Sequence, residues 1–129
     1  MPKDLDDSRI DALARAWIAA RRRGEEAADD QVHESVVILT FAYSAETQWK
    51  FVTAAVALAA ESIDELYAIA AGPFEGLMGK YGDDYIDRVE AEAARDPKFR
   101  EMLHGSWQHL MSDQVWARVE AARGKPTLP

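Results

Sequence analysis

The chain of 129 residues has a formal net charge of −8, contains no cysteine and is 48% hydrophobic. The lack of cysteine excludes disulfide frameworks and thiolate nucleophiles and argues against structural zinc, so we expect no metal and no cofactor. Both halves of the chain are acidic, whereas proteins that bind phosphate backbones need clustered Lys and Arg. We therefore expect no nucleic-acid binding, and an acidic surface suits a basic protein partner.

A chain of this length is enough for one hydrophobic core, which predicts a single helical domain over residues 1–129. The longest stretches without a charged residue or histidine, residues 35–45 and 51–60, are far shorter than the roughly 20 residues that cross a bilayer. The first residues, MPKDLDDSRID, are acidic and lack the apolar run of a signal peptide. We expect a cytoplasmic protein without a membrane span.

Apolar residues recur at helical rather than alternating spacing, which predicts an all-α fold. The first helix begins near Ser8 and ends before Gly24, with arginines in its last turn that complement the helix dipole. Residues 24–30, GEEAADD, are typical of a linker. Ser44 caps a third, central helix that is apolar around most of its girth. The second helix carries its apolar stripe at Val32, Val36, Leu39 and Tyr43.

Glycine, proline and capping residues divide the remaining chain into five further short helices. Ser62 begins a capping box for the fourth helix, and Gly72 ends it. Pro73 has the geometry of a first helical residue, and Gly82 ends the short fifth helix. The last three helices are capped by Asp83 or Asp84, by Asp96 before Pro97, and by Ser112. About eight short helices with short connections predict stacked antiparallel hairpins that loosely resemble HEAT repeats.

The segment GPFEGLMGKYG, residues 72–82, raises the question of a phosphate-binding loop. A Walker A motif needs four residues between its first glycine and the Gly-Lys pair, followed by Ser or Thr. Gly72 lies too far from Gly79 and Gly76 lies too close, and Tyr81 occupies the place of the hydroxyl ligand. The glycines are therefore interpreted as helix junctions, although Gly76 and Gly79 remain unexplained inside a short helix.

Two carboxylate pairs have a spacing that would place both acids on one helical face. These are Glu61 with Asp64 and Asp87 with Glu90, but a magnesium site would need a further acidic cluster. His33 and Glu34 begin like a zinc-protease motif, but Val37 stands where the second histidine is required. We interpret these residues as surface or capping groups.

Trp107 is the aromatic residue with the most open interpretation. It lies in the connection GSWQHLMS between the last two predicted helices. It is either a core residue, as large aromatics usually are, or the anchor of a groove whose polar rim includes Arg100 and Arg118.

Residues 70–120 resemble an uncharacterised family of small bacterial all-helical proteins. The pattern consists of Gly-Pro-x-Glu at 72–75, Ile-Asp-Arg-x-Glu at 86–90, Asp-Pro-x-Phe-Arg at 96–100 and Trp-x-Arg-Val at 116–119. The family has no determined function, so the resemblance implies no activity. It does point to nine candidate binding positions: Glu75, Tyr81, Asp87, Arg88, Glu90, Arg100, Trp107, Trp116 and Arg118.

The charged members of this pattern allow a structural and a functional interpretation. Asp87, Arg88, Glu90 and Arg100 would form an ion-pair network that fixes two helices, or would serve a ligand. Our leading hypothesis is a non-enzymatic interaction module that binds a protein through a groove of its C-terminal helices, in one version an immunity or antitoxin-like protein. The alternative is an enzyme or small-ligand binder that uses Glu75, Asp87, Arg88 and Arg100 near Trp107.

Overall fold

The computed structural model describes residues 2–23, 30–59 and 63–125 of the chain, and most of these residues are helical. Within them no strand forms, and the prediction of an all-α fold is confirmed. A five-residue π-helical turn, Ala70–Phe74, joins two of the helices. The helices are α1 (Asp7–Arg22), α2 (Asp30–Ala42), α3 (Ala45–Leu58), α4 (Ile63–Ile69), α5 (Glu75–Arg95), α6 (Pro97–Leu103) and α7 (Asp113–Arg123).

The described residues form six continuous helical segments rather than eight, because α4, the π turn and α5 follow one another without a break. The predicted stop at Gly72 and start at Pro73 take a different form, since a π-helical turn joins α4 and α5 there without a break. The wider π turn accommodates the proline, whose ring and missing N–H would disturb a regular α-helix. The predicted helix end at about Tyr81 and Gly82 coincides with a kink at Tyr81, with φ −124° and ψ 21°, but the chain continues as a helix beyond it.

Polar side chains cap the helices at most of the predicted positions. The Ser44 hydroxyl accepts a hydrogen bond from the Thr47 N–H at the start of α3. Asp96 and Ser112 cap α6 and α7 in the same way, with Pro97 as the first residue of α6. α1 begins two residues earlier than predicted, because Asp6 rather than Ser8 is its capping residue and accepts a hydrogen bond from the Arg9 N–H. The predicted stop at Gly24, residues 24–29 of the predicted linker 24–30, and the cap at Ser62 lie outside the described residues, while Asp30 of that linker is the first residue of α2.

The helix α3 lies at the centre of the hydrophobic core, as predicted. It packs against α1, α4, α5 and α6, and its residues Phe51, Val52 and Ala55 are completely buried. Trp17 of α1 meets Phe51 edge to face at 6.0 Å between ring centroids. The two most extensive helix pairs are α1 with α3 and α5 with α7, so the strongest contacts join helices that are not consecutive.

Candidate interaction surface

Three glycines of α5 allow three other parts of the chain to approach its backbone closely. A Cβ atom on Gly76 would lie 3.2 Å from Thr40 Cγ2 of α2. A Cβ atom on Gly79 would lie 3.0 Å from the Cβ of Leu110, and one on Gly82 would lie 3.0 Å from a methyl carbon of Val115 in α7. Glycine in a helix costs about 1 kcal/mol relative to alanine, and close contact explains its presence here.

Lys80, the lysine of the segment at residues 72–82, also contacts α2. Lys80 donates a hydrogen bond from Nζ to the Thr40 carbonyl oxygen at 3.0 Å. Its ammonium group also lies 4.9 Å from the centroid of the Phe41 ring, within the range of a cation–π contact. Lys80 therefore ties α5 to the end of α2.

The connection at residues 104–112 exposes two large apolar side chains although its backbone is well anchored. Trp107 is 75% exposed and Leu110 is 69% exposed. Beside them, Ser106 is buried and donates its hydroxyl to the Leu103 carbonyl at 2.6 Å, and Met111 is buried in the core. The core interpretation of Trp107 is therefore wrong. We call Trp107, Leu110 and the adjacent Glu75 the Trp107 surface.

Glu75 fixes the connection to the first turn of α5. Its Oε2 accepts a hydrogen bond from the Trp107 backbone N–H at 2.8 Å. Burial raises the pKa of the Glu75 carboxyl above its ordinary value, because a charged carboxylate is less favourable away from water. The Trp107 N–H and the nearby His109 oppose that rise of the pKa. The raised pKa of Glu75 is therefore explained by its burial where the connection at residues 104–112 meets α5.

Asp87 and Glu90 meet Arg118 where α5 packs against α7. Arg118 Nη2 lies 2.6 Å from Asp87 Oδ1 and 2.6 Å from Glu90 Oε1, and Arg118 Nε lies 2.9 Å from Glu90 Oε2. The Arg118 hydrogen bonds lower the pKa of Glu90, and the pKa of Arg118 is raised by its hydrogen bonds to the two acids. The side chains of Asp87, Glu90 and Arg118 are all accessible to solvent. Their contacts with one another explain three of the nine candidate positions.

Arg88 points to a different neighbour, Glu46 at the start of α3. The Arg88 Nη1 atom lies 2.5 Å from Glu46 Oε1, which also accepts the Tyr85 hydroxyl at 3.0 Å. Burial, together with the hydrogen bond to Glu46, raises the pKa of Tyr85 to about 12. This cluster joins α3 to α5.

Arg100 does not join either group of charges. Its Nη1 donates to the Ala93 carbonyl at 2.8 Å, near the end of α5. The predicted ion-pair network of Asp87, Arg88, Glu90 and Arg100 therefore does not form. Ala93 lies near the end of α5, whereas Glu75, which contacts Trp107, is the first residue of the same helix. Arg100 consequently does not rim a groove at Trp107.

Tyr81 and Trp116, the two remaining candidate positions, are half-buried. Tyr81 packs against the core at the kink of α5. Trp116 also packs against the core, and the Arg123 guanidinium lies 5.3 Å from its ring centroid.

The outward face of α2 was not predicted from the sequence. Val37, Ile38 and Phe41 are 41%, 47% and 74% exposed, while Val36 and Leu39 of the same helix are buried in the core. The sequence did indicate such a face, because Val37, Ile38 and Phe41 are apolar residues outside the predicted stripe of α2. A short helix that is apolar all round is normally covered on all sides.

Neither a metal site nor a membrane span is found within the described residues. No group of three or more His, Asp and Glu side chains there is arranged to hold a metal ion. None of the described helices has both the length and the apolar character needed to cross a bilayer.

Comparison with known proteins gives a family but no characterised relative. Neither the curated proteins nor the solved structures provide a match. Residues 21–127 match the Family of unknown function (DUF6869), a span that begins well before the motif segment at 70–120 and includes α2 and α3. The chain therefore belongs to the Family of unknown function (DUF6869).

Proposed function

We propose that this chain is a non-enzymatic protein-interaction module whose partner binds the Trp107 surface. The observation that carries the proposal is that an anchored connection holds Trp107 and Leu110 out into solvent. Large aromatic side chains that become buried on binding are the residues most often found to dominate the energy of an interface.

The anchoring of the connection favours a binding role over a merely exposed loop. The Gln108 side chain donates to the Met111 carbonyl at 3.1 Å and to Asp113 Oδ1 at 2.7 Å, which links the connection to the start of α7. Together with the Glu75 contact, these bonds hold the backbone around Trp107 before any partner arrives. A surface that is ordered in advance loses less conformational entropy on binding.

The charge of the chain suggests the character of the partner. With a net charge of −8, the molecule attracts a basic protein at long range and accelerates its association. In the more specific version of this proposal, the chain is a cytoplasmic immunity or antitoxin-like protein that masks a basic toxin. That version rests on size and charge, and a toxin encoded in the same operon would support it.

The alternative of a small-ligand site has one supporting feature, the raised pKa of Glu75. We do not prefer it, because the other three residues of that site have separate partners. Asp87 contacts Arg118, Arg88 contacts Glu46, and Arg100 contacts a backbone carbonyl. Convergent polar groups in one concavity are what a small ligand requires.

Site-specific photo-crosslinking in cells tests the proposal directly. The residue p-benzoylphenylalanine is placed at Trp107, and in a matched control at Gln114, which is exposed on α7 outside the Trp107 surface. We expect a discrete crosslinked protein from position 107 and none from position 114. Equal crosslinking from both positions, or none from position 107, would argue against a partner on this surface.

Binding of the captured protein then separates the general proposal from its toxin version. Trp107→Ala should weaken binding by at least about tenfold, as expected of a hot-spot residue, whereas Gln114→Ala should leave it unchanged. For a basic toxin, the association rate should fall steeply as salt is added. A captured protein that is acidic and binds independently of salt would contradict the toxin version alone.

A further inference from the structure

The outward face of α2 combines an apolar centre with a charged group at each end. Val37, Ile38 and Phe41 share this face with Glu34, because residues three and four positions apart lie on the same side of a helix. All four side chains are exposed. Lys80 extends the face beyond Phe41, since its ammonium group lies against the Phe41 ring.

The helices that the structure describes leave this face uncovered, because α2 packs on the core with its opposite side. Val36 and Leu39 are buried there, and α2 packs mainly against α1 and the π turn. An exposed apolar helix face with a polar border is a common mark of an association surface.

We propose that this face binds the same face of a second copy of the chain, with the two α2 helices antiparallel around a two-fold axis. An axis between residues 37 and 38 would place Val37 of one copy opposite Ile38 of the other. The same axis would place Glu34 opposite Phe41, because each lies about 5 Å along the helix from the axis. The interface is then isologous, and each contact occurs twice.

Charge complementarity is the reason for choosing a second copy as the occupant. In the antiparallel arrangement, Glu34 of each copy reaches the end of the face where Lys80 of the other copy lies beside Phe41. Two opposite-charge contacts therefore border the apolar centre. They offset part of the repulsion between two chains that each carry a net charge of −8.

The expected dimer is weak, because three apolar side chains per copy form the centre of the interface. The buried area is on the order of 1,000 Å², at the lower limit of specific interfaces. Dimerisation should therefore appear as a concentration-dependent mass that rises from 14.4 kDa toward twice that value. The expected dissociation constant lies in the micromolar to submillimolar range, which is typical of weak complexes.

Sedimentation equilibrium on charge variants tests both the interface and its geometry. Glu34→Lys and Lys80→Glu should each weaken self-association by about tenfold, because both opposite-charge contacts become repulsive. A mixture of the two variants should recover the dimer. At one end of the mixed interface the introduced lysine meets the introduced glutamate, and at the other end the unchanged Lys80 meets the unchanged Glu34. The doubly substituted chain should recover the dimer as well, and circular dichroism checks that the variants remain folded.

Two further variants keep the proposal falsifiable. Ile38→Asp places a charge at the centre of the face without touching the core and should leave a monomer, whereas Trp107→Ala should leave the dimer intact. A wild-type chain that is monomeric up to about 1 mM, above the expected range of the dissociation constant, would overturn the proposal. Charge variants that fail to recover the dimer when mixed would overturn the antiparallel geometry.

Discussion

The continuous helical segment from residue 63 to residue 95 is held in two different ways along its length. Over residues 63–82, other parts of the chain approach it so closely at Tyr67, Gly76, Gly79 and Gly82 that an added methyl group would have to displace a neighbouring atom. Over residues 83–95, long charged side chains connect it to its neighbours, as Arg118 does with Glu90 and Arg88 does with Glu46. Close contacts distinguish the first half and exposed charge pairs distinguish the second, although Ile86, Val89 and Ala93 of the second half are also buried in the core.

The two halves of the segment should differ in how well they tolerate amino-acid substitutions. Close-packed interiors have little free volume, so one extra carbon at a backbone contact forces displacement or strain. Exposed ion pairs contribute little and are screened by salt. Substitutions in the first half should therefore reduce stability much more than removal of charges in the second half.

The largest effect is expected for Gly105→Ala, where the turn after α6 contacts α4. A Cβ atom on Gly105 would lie 2.6 Å from Tyr67 Cδ1 and 2.8 Å from Tyr67 Cα, and the backbone atom cannot simply rotate away. We expect a loss of about 3 kcal/mol in the free energy of unfolding, at the upper end of overpacking effects. Urea denaturation followed by circular dichroism measures the loss.

The matched control for this variant is Gly72→Ala. A Cβ atom on Gly72 would meet nothing within 4 Å outside its chain neighbours. The gain in helix propensity is opposed by the proline that follows, so the free energy of unfolding should stay within about 1 kcal/mol of wild type. If the Gly105 and Gly72 variants were equally stable, close contact would not be what distinguishes the two glycines.

A smaller effect is expected for Gly82→Ala, at the contact between α5 and α7. The added Cβ would lie 3.0 Å and 3.4 Å from the two methyl carbons of Val115, while alanine gains about 1 kcal/mol in helix propensity. We expect a net loss of about 1 kcal/mol. The double variant with Val115→Ala should be more stable than the two separate losses predict, by at least about 0.5 kcal/mol. Additive losses would show that the two side chains do not compete for space.

Local features of the fold were predictable from the sequence, because they depend on neighbouring residues. Ser44, Asp96 and Ser112 cap helices as expected, since each side chain bonds to an N–H two or three residues away. The role of a glycine inside a helix could not be predicted in this way. Gly76 and Gly82 are explained by Thr40 and Val115, which are more than 30 residues distant in the chain.

The candidate site was predictable only in part, for the same reason. The motif pattern drew attention to Trp107 and Glu75, which do lie together. It also suggested that Arg88 and Arg100 belong to one network, whereas the fold directs them to Glu46 and to the Ala93 carbonyl. Pairing between charges depends on how helices cross, and helical spacing within one segment does not determine that.

A pH-dependent effect is expected for Glu75→Gln at the base of the Trp107 surface. The pKa of Glu75 is higher in the folded state than in the unfolded state, so the folded state favours the neutral carboxyl. Protonation of Glu75 therefore stabilises the fold. This contribution is complete below the pKa of the unfolded state and is lost as pH rises through the pKa of the folded state. Glutamine keeps an acceptor for the Trp107 N–H without the charge. At pH 7 the free energy of unfolding of Glu75→Gln should therefore equal that of wild type or exceed it by less than about 1 kcal/mol.

Thermal unfolding at a series of pH values tests this expectation. The stability of wild type relative to Glu75→Gln should increase as pH falls from 7 toward the ordinary range of a carboxyl pKa. The control is Asp83→Asn, whose side chain is exposed on α5 outside the Trp107 surface and the outward face of α2. A difference between wild type and Glu75→Gln that does not change with pH would contradict a raised pKa at Glu75.

The smallest effect is expected for Arg118→Ala, although Arg118 contacts two carboxylates. Asp87 is 86% exposed and Arg118 itself is accessible to solvent, so water competes with both contacts. The loss of stability should be the smallest among these variants and should vanish at 1 M salt, where the Debye length is only about 3 Å. The effect of Gly105→Ala should persist in the same salt, because steric overlap is not screened. If the loss of stability in Arg118→Ala persisted at high salt, the contacts of Arg118 with Asp87 and Glu90 would depend on packing as well as on charge. The contrast between the two halves of the segment would then fail.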